Sequence, residues 1–440
     1  MDLPTALSPA VQAQLGRLSM LSTGGDTLGL GRITALLARL GDPHLALPPV
    51  FHVAGTNGKG STCAFLRAAL EADGKRVHVY TSPHLVRFNE RMRIAGRLIE
   101  DEQLAPLLER VLAVADGIAP SFFEAATAAA FLVFAETPAD ACVIEVGLGG
   151  RLDATNVLAD PAACGIAQLG IDHQAFLGHT AEAIAREKAG IAKPGRPLVT
   201  HHYGDSVNAA VREVAKAAGA ALMVEGVDWQ FGGNATLRKV FHHAAGGGQQ
   251  LMTPWPVLPG DHQVANLALA VAMLRAQDRV TVSAQALKAA PSHAQWPARM
   301  QRLADGPLVR RLPAGSRVWL DGGHNPAAAG AVAATLREQL GGRRAHLVLG
   351  MLENKDAAGL LAPFADLAAG LTAVPISGHA HHAPQALAGI AGALAIAAST
   401  APDVGTALDA IARGGGTQVL ILGSLYLAGE VLAANEQAPT

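Results

Sequence analysis

Cysteine is scarce: Cys63, Cys142 and Cys164 are the three in 440 residues, they lie far apart, and none forms a C-x-x-C pair. This usage argues against a zinc site or a disulfide framework and fits a reducing compartment. Charge is also sparse and balanced, with 34 Lys and Arg against 36 Asp and Glu, 16% charged residues and a pI near 6.8. Without an excess of either sign there is no electrostatic footprint for nucleic acid, so an anionic partner has to be met by a local pocket. Long apolar runs are missing. The longest, Ala386–Ala398, is about thirteen residues against the ~20 that a membrane span needs, and it reads as a buried helix. Met1–Met20 lacks a basic segment leading into a continuous apolar run, so no secretory signal is expected and a cytoplasmic location is. Half of the residues are hydrophobic, and at roughly 100–200 residues per domain the length predicts two or three globular domains.

The stretch that organises the chain is Phe51-His52-Val53-Ala54-Gly55-Thr56-Asn57-Gly58-Lys59-Gly60-Ser61-Thr62, followed by an amphipathic run from Cys63 to Ala72. A β-prone run, a loop with three glycines in six residues and a helix start make a strand, a tight turn and a helix. Glycines let backbone N–H groups turn toward an anion, the helix N-terminus adds partial positive charge, and Lys59 can reach outer phosphates. Ser61 or Thr62 can then touch a Mg²⁺ ion. The strict pattern G-x-x-x-x-G-K-[ST] is not met, because Val53 stands at its first glycine and Gly60 separates Lys59 from Ser61. The loop is a variant, yet a purely structural glycine turn does not explain a lysine between two glycines.

Further polar clusters follow strand-like runs, where α/β proteins gather their ligands. Val77–Tyr80 leads into Thr81-Ser82-Pro83-His84-Leu85, which makes Ser82 a candidate metal ligand. Ala141–Glu145 carries a carboxylate at its end and enters a glycine-rich loop that includes Arg151, Leu152 and Asp153. A buried Glu145 needs a cation or strong hydrogen bonds, and either a metal ion or an ion pair with Arg151 would serve. Cys164–Leu169 is followed by Gly170-Ile171-Asp172-His173, adding His173 to the candidate ligands. Ser121-Phe122-Phe123-Glu124 opens a helix; a capping box alone accounts for its two polar residues, and its phenylalanines are either core or a wall for a flat ring.

Leu28-Gly29-Leu30-Gly31 precedes a helical pattern at Ile33, Leu36, Leu37 and Leu40, and either borders a ligand or is a plain loop. Arg186-Glu187-Lys188 reads as a solvated helix face, and Gly232–Gln250 as an exposed hairpin or loop. Asn266 is expected to point off the apolar face of its helix, free to hydrogen-bond. Trp296-Pro297 marks a boundary after which the α/β alternation restarts. Strand-like runs then end at Asp321-Gly322-Gly323-His324-Asn325-Pro326 and at Gly423-Ser424. The expected fold class is α/β, with domains over residues 1–297 and 298–440.

In this order the segments resemble the folylpolyglutamate synthase and dihydrofolate synthase family, relatives of the Mur cell-wall ligases, from Leu28 to Glu430. Each motif is weak alone; the ordered set is highly specific. The resemblance implies an N-terminal P-loop domain of the Mur-ligase type, binding ATP and pterin, and a smaller C-terminal Rossmann-like α/β domain. It implies ATP-dependent, ADP-forming ligation of L-glutamate onto the carboxylate of dihydropteroate or a reduced folate through an acyl phosphate. A monomer with no nucleic-acid or membrane partner is expected.

Residue by residue, the resemblance implies that Gly55, Thr56, Asn57, Gly58, Lys59, Gly60 and Ser61 hold the ATP phosphates. Asn266, Arg299 and Asp321 match further ATP contacts. Ser82, Glu145 and His173 match Mg²⁺ ligands, and Lys188 matches a lysine that the family carbamylates with CO₂, which overrides the solvated-face reading. Lys59, Lys188 and His324 would be catalytic. Leu28, Gly29, Leu30, Gly31, Ser121, Phe122, Phe123, Glu124 and Leu152 would line the pterin, and His324 and Ser424 the glutamate side. Two departures from the family pattern are Ala298, where glycine usually precedes the arginine, and Gly323, where alanine is usual. The rival readings are a Mur-type ligase with a nucleotide-linked peptide acceptor and a P-loop regulatory NTPase.

Overall fold

A computed structural model describes residues 8–21, 28–244 and 250–440. The chain forms two compact units. Of the described residues, the larger takes those up to Val257 together with Gln263–Gln295, and the smaller takes Leu258–His262 and those from Trp296 onward.

In the larger unit, β1 (Val50–Ala54), β2 (Val77–Tyr80), β3 (Met92–Ile94), β4 (Arg97–Leu98), β5 (Ala141–Glu145), β6 (Ala163–Ile166), β7 (Pro197–Thr200) and β8 (Ala221–Val224) form one sheet. Its order is β4-β3-β2-β5-β1-β6-β7-β8. From β2 to β8 the neighbours are parallel, while β3 and β4 join antiparallel at one edge. Every residue of β1, β2, β5 and β6 is buried, as parallel strands covered on both faces require. The register sets Tyr80 beside Ile144, Val53 beside Glu145 and Ala54 beside Ile166. Four carboxyl ends therefore finish at one level, and the loops carrying Gly55, Ser82, Val146 and Ala167 leave from the same edge.

The helix Phe122–Glu136, rich in alanine, lies in the main core with Ile33, Leu36, Leu37, Tyr80 and Phe88. Pro9–Met20 is a helix that buries Val11, Leu15 and Leu18; the rest of the N-terminal reading, residues 1–7, lies outside the described residues. Of the two readings of Gly232–Gln250, hairpin or loop, the structure has the hairpin. β9 (Trp229–Asn234), β10 (Lys239–Ala244) and β11 (Leu251–Pro254) make a small antiparallel sheet, and residues 245–249 lie outside the described residues.

The smaller unit holds β12 (Gln301–Arg302), β13 (Arg317–Leu320), β14 (Ala345–Leu349), β15 (Ala368–Ala373), β16 (Ala398–Thr400) and β17 (Gln418–Leu422), in the order β12-β13-β17-β14-β15-β16. All of its pairings are parallel except β12 with β13. Ala386–Ala398 is not one buried helix. The helix Pro384–Ala393 stops before Ala395, whose φ of 59° breaks the repeat, and it buries only Leu387 and Ala391, one turn apart on a single face. Among the described residues no helix is long and apolar enough to cross a membrane.

Candidate active site

The glycine-rich loop leaves β1 with Gly55 at φ 149° and Gly58 at φ 81°, the latter capping the helix Lys59–Ala72. A Cβ on Gly58 would stand 2.3 Å from Asn266 Oδ1, so only glycine fits between this turn and the neighbouring helix. Asn266 is thus buried, and its Nδ2 donates to Gln263 Oε1 at 3.0 Å. The expected free position off an apolar face is corrected: the helix His262–Arg275 buries almost every side chain and has no polar face there. The amides of Thr56 and Asn57 donate to Gln168 O at 2.8 and 3.2 Å, so these two residues shape the loop through their backbone. The first turn of the following helix, Lys59 to Ser61, supplies the N–H groups that helix geometry leaves without an intrahelical acceptor.

Lys59 folds back over the loop, its Nζ donating to Gly55 O at 3.1 Å and Thr56 O at 3.3 Å. Lys188 Nζ donates to the same Gly55 carbonyl at 2.9 Å and is buried. The solvated-face reading holds for Arg186 and Glu187, which pair with Glu213 and Arg151, and fails for Lys188, one turn on from the buried Ile184. Burial, and then the nearby charge of Lys59, bring the Lys188 amine down to about 7, against the opposing pull of Asp172 and Asp153. Glu145 is buried next to the loop, and its Oε2 accepts from Ser82 N at 3.4 Å. The Arg151 alternative is corrected, since that guanidinium meets Glu187 at 2.9 Å. His173 stands at the start of a short helix with φ 52°, its side chain 46% exposed and 4.0 Å from Asp172. Among the described residues no three His, Cys, Asp or Glu side chains form a ready metal cage.

The opening of the helix at Phe122 carries the expected reciprocal cap, Glu124 N to Ser121 Oγ at 3.2 Å and Ser121 N to Glu124 Oε2 at 2.6 Å. Sequence reasoning missed Arg32. Its Nε donates to the buried Glu124 at 2.9 Å and ties the segment after Leu28-Gly29-Leu30-Gly31 to Ser121–Glu124. The signal was present in a buried glutamate needing a cation and an arginine directly after Gly31. Phe122 and Phe123 are half-buried: Phe122 meets Phe88 edge to face at 5.8 Å, and the Phe123 ring fills the space where Gly147 would carry a Cβ. Both pack on the core, as does Leu30, and all three stay partly exposed, like Leu28 and Leu152.

In the smaller unit, Asp321 is buried and accepts from Met300 N at 2.8 Å and Gly323 N at 2.6 Å. Arg299 Nη1 donates to Ala298 O at 2.9 Å. Ala298 adopts φ 54°, the left-handed region that glycine enters freely, so its departure from the family pattern falls where a side chain is strained. A Cβ on Gly323 would approach Asp321 Oδ1 to 2.8 Å. His324 Nδ1 contacts Gly322 O at 2.9 Å. Ser424 is buried, and its Oγ accepts from Tyr426 N at 3.1 Å as the cap of the helix Leu425–Ala434. Sequence reasoning passed over His262, whose pKa is lowered by burial and which feels both Asp321 and Arg299.

The chain around this loop is similar to known proteins. The Mur ligase middle domain model covers residues 53–274, and the Mur ligase glutamate ligase domain model covers residues 298–425. The dihydrofolate synthase/folylpolyglutamate synthase of Escherichia coli is 36% identical over 82% of this chain and 80% of its own. The chain belongs to the dihydrofolate synthase/folylpolyglutamate synthase family. Escherichia coli FolC in complex with DHPP and ADP superposes with a TM-score of 0.86, at 32% identity and 98% coverage of both chains. A bifunctional family structure with Mn, AMPPNP and L-glutamate bound gives 0.84, at 33% identity, over 98% of this chain and 99% of the other.

Proposed function

We infer that this protein is an ATP-dependent, ADP-forming ligase that joins L-glutamate to dihydropteroate, making dihydrofolate, and to tetrahydrofolate and its polyglutamates. The observation that carries this reading is the pair of lysines on one loop carbonyl, next to a buried Glu145, at the start of a glycine-capped helix. These residues fit a nucleotide with a divalent cation. The helix start offers N–H groups to phosphate oxygens, Gly58 admits no side chain, and the Glu145 carboxylate lies at the end of the strand next to the loop. Glu145, Ser82 and His173 would hold Mg²⁺, with Lys188 as a fourth ligand once carbamylated. When bound, the metal ion neutralises charge on the phosphates being transferred.

The substrate carboxylate attacks the γ-phosphorus of ATP and ADP departs; the amine of glutamate then attacks the acyl carbon, loses a proton and expels phosphate. Lys59 leaves the loop carbonyls for the phosphates, since phosphoryl transfer depends mainly on positioning and charge neutralisation. An amine brought down to about 7 carries a substantial neutral fraction near neutral pH, the form that adds CO₂, so Lys188 is suited to carbamylation. Phe122, Phe123, Leu28, Leu30 and Leu152 would hold the pterin ring, with Glu124 kept in place by Arg32. Arg299 and Asp321 would contact ATP, and His324 the incoming glutamate. We take the protein to act as a cytoplasmic monomer. Incubation with Mg-ATP, L-glutamate and either dihydropteroate or tetrahydrofolate tests the reading by product mass. One added glutamate on dihydropteroate, and one or more on tetrahydrofolate, is expected. ADP without a new amide would refute it.

A further inference from the structure

Tyr203 lies just beyond β7 and takes no part in the site described above, yet its hydroxyl is turned inward. The backbone before it is anchored by Tyr203 N donating to Asn208 Oδ1 at 3.1 Å. The single phenol proton is shared between two successive carbonyls, Ile166 O and Ala167 O, the second at 2.9 Å. Burial pushes this phenol's pKa up, so it remains a donor across the physiological range. These carbonyls belong to the last residue of β6 and the one after it, the start of a short bracket that runs to Gly170.

The other side of that bracket is the nucleotide loop. Ala167 N donates to Ala54 O at 2.8 Å, and the next carbonyl, Gln168 O, accepts from Thr56 N and Asn57 N. Thr56 Oγ1 donates to Gly170 O at 2.9 Å, and Gly170 N lies 3.1 Å from the same hydroxyl. Ala167 and Gly55 are in such close contact that a Cβ on Gly55 would lie 2.9 Å from the alanine methyl. A shift of the bracket by a few tenths of an ångström is therefore passed to Gly55, whose carbonyl holds both Lys59 and Lys188. The same segment leads into Asp172 and His173.

We propose that Tyr203 is a positioning residue for nucleotide binding: its hydroxyl fixes Ile166–Gly170, and that segment fixes the backbone of Thr56, Asn57 and Gly55. The proposal rests on the ATP reading of the loop, and deepens it by naming a support outside the loop motif. Misplacing reacting groups by less than an ångström is enough to slow an enzyme.

The test compares ADP affinity by calorimetry in the wild type, Tyr203→Phe and His201→Gln. His201 touches the Tyr203 ring edge, pairs with Glu225 at 2.8 Å and hydrogen-bonds the phenol through its backbone, so His201→Gln disturbs the ring and ion-pair surroundings while keeping the hydroxyl and its backbone partners. Tyr203→Phe keeps the ring and is expected to weaken ADP binding about tenfold, the scale of one lost hydrogen bond. Its KM for the pterin substrate should stay near wild type while its Tm falls by about 2–4 °C, the share of one hydrogen bond, and His201→Gln should bind ADP within twofold of wild type. Tyr203→Phe with unchanged ADP affinity overturns the proposal. So does an equal loss for ADP and pterin, or the same ADP defect in His201→Gln. A wild type that binds no ADP refutes the ATP reading itself, a result distinct from these.

Discussion

The carboxyl edges of the two parallel sheets carry similarly polar sequences, but their polar groups differ in what they meet. In the smaller unit Asp321, Asn325 and Ser424 each accept from backbone amides nearby, bracing a turn or capping a helix. In the larger unit Lys188 and Lys59 crowd one carbonyl, and Glu145 is buried with a long 3.4 Å contact from Ser82 N. A polar residue at a strand end thus argues for a ligand mainly where like charges are gathered, as Lys59 and Lys188 are, rather than where it braces a turn or caps a helix.

The sharpest way to break this contrast is at Lys188. Lys188→Ala should fold and lose about a hundredfold or more in glutamate-dependent ADP formation, the scale of removing one preorganised charge-stabilising group. Full activity of this variant at low CO₂ would remove the carbamate role. The same residue gives a pH signature. Its folded value of about 7 lies below 10.5, so the unfolded chain binds more protons between the two, and stability rises with pH across that window. Denaturant melts of the wild type should climb from pH 7 toward 10 relative to Lys188→Met, whereas parallel curves would mean the amine is not depressed.

Next in size is Gly58→Ala, expected to cost about 2–4 kcal/mol through left-handed strain and overlap with Asn266, and to abolish measurable ADP binding. Adding Asn266→Ala should return the overlap part, as a double-mutant cycle in melts would show. Ser424→Ala should cost about 1 kcal/mol as a lost cap, with glutamate KM nearly unchanged. A large rise in that KM would give Ser424 a ligand role and weaken the contrast. The smallest effect is expected from Ala298→Gly. Relief of about 1–2 kcal/mol of left-handed strain outweighs one buried methyl at about 0.8 kcal/mol, so Tm should rise slightly.

Much of this was legible in the residues. The strand, glycine turn and helix around Lys59 follow from local pattern, as does the cap formed by Ser121 and Glu124. Lys188 was not legible without the family resemblance, because a charged Arg-Glu-Lys run on a helix looks solvated until the packing of Gly150 on that helix is known. Arg32 and Tyr203 escaped for a similar reason: their partners lie 92 and 37 residues away, and only the fold brings them together. Asn266 and the Ala386–Ala398 run were misjudged because hydrophobic spacing does not reveal how many faces of a helix are covered.

The most direct measurement is the ratio of ADP released to new amide formed, with dihydropteroate, L-glutamate and ATP each withheld in turn. One ADP per amide, and neither product when any of the three is missing, is the predicted result. Steady ADP release in the absence of the pterin and glutamate would contradict the ligase account and return the protein to the class of nucleotide switches.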